Sequence, residues 1–347
     1  MDETIELDKA LEQRLNGTLF IDVRTTAEFA ETTIPGAVNV PLFSNDERAE
    51  VGTVYKQKGR KDARRLGVEL AAPKIPWYID QVEAARKDNP GPVVVFCWRG
   101  GMRSLAMTTF FNLAGIPARQ LIGGHKGFRR FVVDYFEQCR WVPIFVLRGL
   151  TGVGKTRVLH ELQQRAYPVV DLEGLANHRG SAFGALGLEP QPSQKMFEAL
   201  LWDRLEHLKE APYLVTEGES LHIGRVAVPK RFHQAMQEQT SLWLTASLDV
   251  RTQIILEEYP ALDRLRDQFA RPINSLKERL GKDAVAEMIG LLNSGDWDAL
   301  VRELMVRYYD PLYMHTHPES RVEISLDPFD QGVDNVAAAL ERLTAKG

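Results

Sequence analysis

Ile144-Phe145-Val146-Leu147-Arg148-Gly149-Leu150-Thr151-Gly152-Val153-Gly154-Lys155-Thr156 is the stretch that decides how the second half of the chain folds. Its apolar opening reads as a buried strand. Gly149 to Thr156 then match G-x-x-x-x-G-K-[ST] without deviation and lead into a run with helical spacing. Strand, glycine-rich turn and helix in that order aim backbone N–H groups and a helix N-terminus at one point, a ready cradle for phosphate. Gly149, Thr151, Gly152 and Gly154 form the wrap, and Lys155 brings a mobile positive charge. The Thr156 hydroxyl is a candidate ligand for Mg²⁺.

Outward from this loop, short apolar runs alternate with longer amphipathic ones, the pattern of α/β domains built on parallel sheets. Residues 19–23, 92–97, 143–148, 168–172, 213–216 and 242–247 read as buried strands. Residues 104–114, 156–165, 195–209 and 284–293 read as helices. Two strand ends gather carboxylates where open sheets bind ligands. Val215-Thr216-Glu217-Gly218-Glu219 offers Glu217 and Glu219, which share a side only if the strand stays extended that far. Asp171, at the end of 168–172, is the third candidate metal-associated residue or general base.

The whole chain has 347 residues, a net charge of -4, 26% charged and 44% hydrophobic residues, which excludes collagen, a disulfide scaffold and an unfolded polyelectrolyte. Two cysteines, Cys97 and Cys139, make no disulfide framework and point to a reducing compartment. The acidic opening MDETIELDKA is no secretory signal, and no run is apolar enough to span a bilayer, so the expected address is the cytoplasm without membrane attachment. The length predicts two domains, with a boundary near 136–143: residues 1–138 and 139–347.

Phe96-Cys97-Trp98-Arg99-Gly100-Gly101-Met102-Arg103-Ser104 repeats the strand–turn–helix logic around a thiol. Backbone donors together with Arg99 or Arg103 stabilise a thiolate there, and the same cradle suits a persulfide, a perselenide or a phosphate. Cys139, with no glycine turn beside it, reads as a packing residue. Six cations fall between positions 56 and 65: Lys56, Lys58, Arg60, Lys61, Arg64 and Arg65. They read as a solvated helix face or as contacts to RNA phosphates. Gly124-His125-Lys126-Gly127-Phe128-Arg129-Arg130 adds further cationic groups, and Arg307-Tyr308-Tyr309-Asp310-Pro311-Leu312-Tyr313 offers aromatic rings that pack or stack.

Leu19-Phe20-Ile21-Asp22-Val23-Arg24, Glu28-Phe29, Ile34-Pro35-Gly36-Ala37-Val38-Asn39-Val40-Pro41, the Cys97 loop and Leu121-Ile122-Gly123-Gly124 together resemble the rhodanese family over roughly residues 12–135. The resemblance implies that Cys97 carries a chalcogen atom. The loop from Cys97 to Arg103 is one residue longer than in most single-domain rhodaneses, and a longer loop is seen in phosphatase-type members. The expected fold is thus α/β throughout: an N-terminal rhodanese-like domain, then a P-loop NTPase-like parallel-sheet domain with extra helices.

A rhodanese domain followed by a P-loop domain resembles the bacterial tRNA 2-selenouridine synthases. So do Cys97-Trp98-Arg99-Gly100-Gly101, Gly149 to Thr156, the stretch 171–184 and Tyr308-Tyr309-Asp310-Pro311. That resemblance implies conversion of 2-thiouridine at the wobble position, in the tRNA anticodon, to 2-selenouridine. It implies geranyl diphosphate and selenophosphate as co-substrates and an S-geranyl intermediate. On this reading the P-loop holds the prenyl diphosphate. Cys97, in its Arg99 and Arg103 cradle, takes selenium from selenophosphate as a selenosulfide. The alternative is a nucleotide-dependent kinase or ATPase whose rhodanese domain carries sulfur or regulates; it turns over ATP and is indifferent to Cys97→Ser. A non-catalytic RNA-binding module would keep its tRNA affinity through both Cys97→Ser and Lys155→Ala.

Overall fold

Val93-Val94-Val95-Phe96 has no polar side chain to give to solvent. In the computed structural model all four residues are buried and form the central strand of a sheet. The structure describes residues 3–87, 91–259, 262–313 and 320–345, the side chain of Tyr313 excepted. The chain divides into two compact units, Met1–Gln138 with Glu198–Asp203, and Cys139–Phe197 with Arg204–Gly347.

The first unit is a five-stranded, all-parallel sheet in the order β1-β5-β4-β2-β3. Its strands are β1 (Thr4–Ile5), β2 (Phe20–Asp22), β3 (Val38–Asn39), β4 (Val93–Phe96) and β5 (Ala118–Leu121). Ile21, Val23, Val93, Val95, Met107 and Phe111 meet in its core beneath the Cys97 loop. An inserted helical pair, Asn45–Lys58 and Arg60–Ala71, turns at Gly59, whose φ of 91° favours glycine.

The second unit carries another five-stranded parallel sheet, ordered β12-β11-β6-β8-β7. Its strands are β6 (Ile144–Gly149), β7 (Val169–Val170), β8 (Leu214–Glu217), β11 (Ser241–Thr245) and β12 (Arg321–Ser325). A small antiparallel ribbon pairs β9 (His222–Ile223) with β10 (Val226–Ala227). β6 is central, so the phosphate loop at its carboxyl end opens where the chain departs to β7 and β8 on one side and β11 on the other.

A second core in this unit belongs to helices alone. Leu262–Ser275, Lys282–Ser294 and Trp297–Leu304 bury Phe269, Ile273, Met288, Leu292, Leu300 and Leu304 against Phe183 and Tyr259. A π-helical turn, Met305–Tyr309, continues the last helix and buries both of its end residues. Among the described residues no helix is long and apolar enough to cross a membrane.

Candidate active site

The Cys97 loop runs from the end of β4 to the helix Met102–Leu113. Its shape is fixed from below by Gly123 and Gly124. A Cβ on Gly124 (φ 55°) would lie 2.3 Å from the Cys97 carbonyl oxygen and 2.5 Å from the Gly100 nitrogen, so only glycine lets the two segments close. His125 and Lys126 amides donate to the carbonyls of Cys97 and Trp98, each at 2.8 Å. His125 itself is buried, stacked on Trp98 and Phe96, and so leaves the cationic surface read from its neighbours.

Cys97 Sγ lies 3.2 Å from Ser104 Oγ and accepts from the Gly101 amide at 3.3 Å. Gln120 Nε2 donates to Ser104 Oγ and to the Gly101 carbonyl, both at 2.9 Å, and so fixes the serine, whose hydroxyl has the Gly101 carbonyl at 3.1 Å and the sulfur at 3.2 Å within reach. Burial opposes ionisation of the thiol. The Ser104 hydroxyl, the amides of Gly101 and Ser104 and the Arg103 charge outweigh it, and the pKa settles below the ordinary cysteine value. Ser104→Ala removes the first of these donors. Its half-maximal rate of iodoacetamide alkylation should therefore move to higher pH, and an unmoved profile would refute this account of the thiolate.

Arg103 is aimed by Glu28, to which Nη1 and Nη2 donate at 2.6 and 3.1 Å. Glu28 also closes a capping box with Thr25 on the helix Thr26–Glu31. Asp22 and Arg24 form a buried ion pair under the same loops, with Thr33 donating to Asp22 and Arg24 donating to the Thr32 carbonyl. Arg99 lies at the mouth of a groove of about 2170 Å³, open side included, that runs from Cys97 along the inserted helical pair. Leu42, Phe43, Val51, Val68 and Phe110 supply apolar walls, and Arg48, Lys56, Arg60, Arg64, Arg99 and Arg103 supply only positive charge. No carboxylate among the described residues lines it.

The structure thus sorts the six cations read from sequence. Lys56, Arg60 and Arg64 border the groove. Lys58, Lys61 and Arg65 are exposed without lining it, and Arg65 pairs with Glu69.

In the second unit the phosphate loop takes the wrapped form its glycines permit. Gly152 has φ 76°, and a Cβ there would meet Ile255 Cδ1 at 2.7 Å and the Arg251 carbonyl oxygen at 2.9 Å. Thr156 donates its hydroxyl to Glu173 Oε2 at 2.9 Å. Glu173 and Glu219 both close on Gly180, where a Cβ would stand 2.6 and 2.5 Å from their oxygens. Burial pushes both carboxyls up, Glu219 to about 8; repulsion from Glu173 adds to the shift at Glu219 and repulsion from Asp171 to that at Glu173, while Lys155 opposes both.

Glu217 is fully buried and accepts the Glu173 amide at 2.7 Å, so it positions the first turn of the short helix that bears Glu173. Asp171 caps the short helix Leu172–Ala176 through the Gly174 amide and lies 3.1 Å from His160. Of the three acidic candidates from sequence, only Glu219 lines the cavity at Lys155; Glu173 and Glu258 line it as well. Mg²⁺ is commonly held by one or two carboxylates plus substrate phosphates. The Thr156 hydroxyl with Glu173 and Glu219 fits that donor set.

That cavity is of two kinds at its two ends. Gly152, Gly154, Lys155 and Thr156 line one end, and Phe183, Phe269, Trp297, Leu300, Leu304 and Met305 line the other. Arg179, whose guanidinium lies 4.4 Å from the Tyr259 ring centroid, lies between acid and hydrocarbon. Sequence reasoning missed Arg251, which is buried and ties the phosphate loop to the Asp310 motif. Its Nε donates to the Thr151 carbonyl at 2.9 Å, and its Nη atoms donate to Asp310 at 3.0 and 2.5 Å. Tyr309 packs into the helical core, while Tyr313's side chain lies outside the described residues. Cys139 is partly buried.

A family profile described as "tRNA 2-selenouridine synthase AAA domain" matches residues 142–344, and one described as "Rhodanese-like domain" matches residues 6–130. The chain belongs to the tRNA 2-selenouridine synthase family. Proteins of that name from Shewanella frigidimarina and Cupriavidus pinatubonensis are 32% and 35% identical to it, over 91% and 87% of this chain and 93% and 89% of theirs. A crystal structure titled as the N-terminal domain of a putative ATP/GTP binding protein from Clostridium difficile 630 is 37% identical over 38% of this chain and 98% of its own, with a TM-score of 0.35. In tRNA 2-selenouridine synthase terms, the first unit is the rhodanese-like half and the second the AAA half.

Proposed function

We infer that this chain converts 2-thiouridine in a tRNA anticodon to 2-selenouridine through an S-geranyl intermediate. The observation that carries the geranyl step is the union, in one cavity, of a phosphate loop and a hydrocarbon wall. A nucleotide's base asks for donors and acceptors along its edge, whereas the far end here is Phe183, Phe269, Trp297 and Leu300. Each methylene buried there is worth about 0.8 kcal/mol.

The thiocarbonyl sulfur attacks the first carbon of geranyl diphosphate. The S–C bond forms, the C–O bond breaks onto pyrophosphate, and the N3 proton is lost. Lys155 and the loop amides hold the charge growing on the leaving group. Mg²⁺ on Thr156 and Glu173 supplies further neutralisation when bound. The alkylated sulfur is now a workable leaving group at C2.

Selenation follows at Cys97. The groove there joins a hydrocarbon wall, suited to the geranyl tail, with a rim of cations suited to tRNA phosphates. The test is to give purified enzyme thiolated tRNA and geranyl diphosphate with no nucleotide present. The S-geranyl nucleoside should form, and ATP should neither be required nor hydrolysed. A strict ATP requirement would favour the kinase reading.

A further inference from the structure

The loop at Cys97 is built for a larger guest than one chalcogen atom. Five residues separate Cys97 from Arg103, and Ser104 follows directly. The amides of Arg99, Gly100, Met102 and Arg103 make no hydrogen bond among the described residues. Arg103 spends two donors on Glu28 and has others left for an oxyanion. Free amides, a fixed guanidinium and a thiolate in one turn match a tetrahedral phosphoryl group.

We propose that Cys97 attacks phosphorus, taking the phosphoryl group of selenophosphate onto its own sulfur and releasing selenium as hydrogen selenide in the groove. This rests on the reading above, in which the Cys97 loop handles selenophosphate. The S–P bond forms as the Se–P bond breaks, the electron pair stays on selenium, and selenium keeps the proton that the monoprotonated selenophosphate brought. Hydrogen selenide then adds at C2 of the S-geranylated base: the C2–Se bond forms and the C2–S bond breaks. The selenium's proton passes to N3, and geranylthiolate takes one from water. A second water attacks phosphorus, the S–P bond breaks, and the thiolate returns as phosphate leaves.

No element changes oxidation state along this route. Attack on selenium instead would send phosphorus away with the Se–P electron pair as phosphite. Freeing selenium from the resulting S–Se bond would then consume an external thiol. Ser104, 3.2 Å from Sγ and set by Gln120, has a place in the proposed sequence. Its hydroxyl stabilises the thiolate as it departs from phosphorus.

The experiment mixes enzyme, tRNA already S-geranylated, and ³²P-labelled selenophosphate, with an acid quench during turnover. The Cys97 peptide should carry the label and lack the isotope envelope of selenium, and phosphorus NMR should show phosphate as the product. Ser104→Ala should trap severalfold more labelled peptide while slowing product formation. A Cys97 peptide bearing selenium without label overturns the proposal. So does release of phosphite, or turnover in both proteins with no label on Cys97. A parallel run on plain 2-thiouridine tRNA separates the two readings. Selenation of that tRNA alone, with Cys97 labelled, removes the geranyl route and leaves the phosphoryl step standing.

Discussion

Lys155→Ala is expected to slow S-geranylation by about 10²–10³-fold, the usual loss when one preorganised charge donor is taken from a leaving group. The effect should be large here because Lys155 stands among Glu173, Glu219 and Glu258, and it lowers the pKa of each. Without it, the charge growing on the departing pyrophosphate has no ammonium to meet it, and the buried carboxyls around it lose the cation that holds their pKa values down. Nucleoside mass analysis of thiolated tRNA should then show unreacted 2-thiouridine, and selenation of tRNA geranylated beforehand should proceed normally. Undiminished geranylation by the variant would remove the phosphate loop from the reaction.

Cys97→Ser should have the opposite distribution of effects. Selenouridine falls by at least about 10³-fold, and the S-geranyl nucleoside accumulates. A serine hydroxyl has the same donors around it, but those donors lower a thiol into the working range and leave an alcohol far above it. Sγ is held by the Ser104 hydroxyl and the Gly101 amide rather than by packing alone, so the substitution leaves the loop its hydrogen bonds and the protein its fold. Selenouridine at the wild-type rate in Cys97→Ser would take the thiol out of the chemistry.

Both reactive loops were legible because each is local. Strand, turn and helix follow one another in sequence, and the glycines mark the turns where φ is positive. The central strands were legible for the same reason: Val93–Phe96 and Ile144–Gly149 announce burial on both faces. The two-residue strands Thr4–Ile5 and Val38–Asn39 have no such pattern, since their place at the sheet comes from their neighbours. The acidic cluster was only half visible. Glu217 ends a strand and stands out in the sequence, yet it is the backbone amide of Glu173 that it serves.

The apolar half of the AAA cavity was not visible at all. Its walls come from Phe183, Phe269 and Trp297, residues remote in sequence that belong to no motif and meet only when the chain closes. The cations at 56–65 showed the reverse problem. Composition grouped six, and only the turn at Gly59 decides that Lys56, Arg60 and Arg64 face the groove.

Arg251 makes one mechanical object of two parts that the sequence keeps far apart. Its guanidinium spans from the Thr151 carbonyl to the Asp310 carboxylate just beyond the Met305–Tyr309 turn, and it is buried along the way. Removing the Asp310 carboxylate strands that cation away from water, at a cost of about 3–5 kcal/mol. The phosphate loop and the hydrocarbon wall therefore behave as a single jaw, and slackness in one is denied to the other.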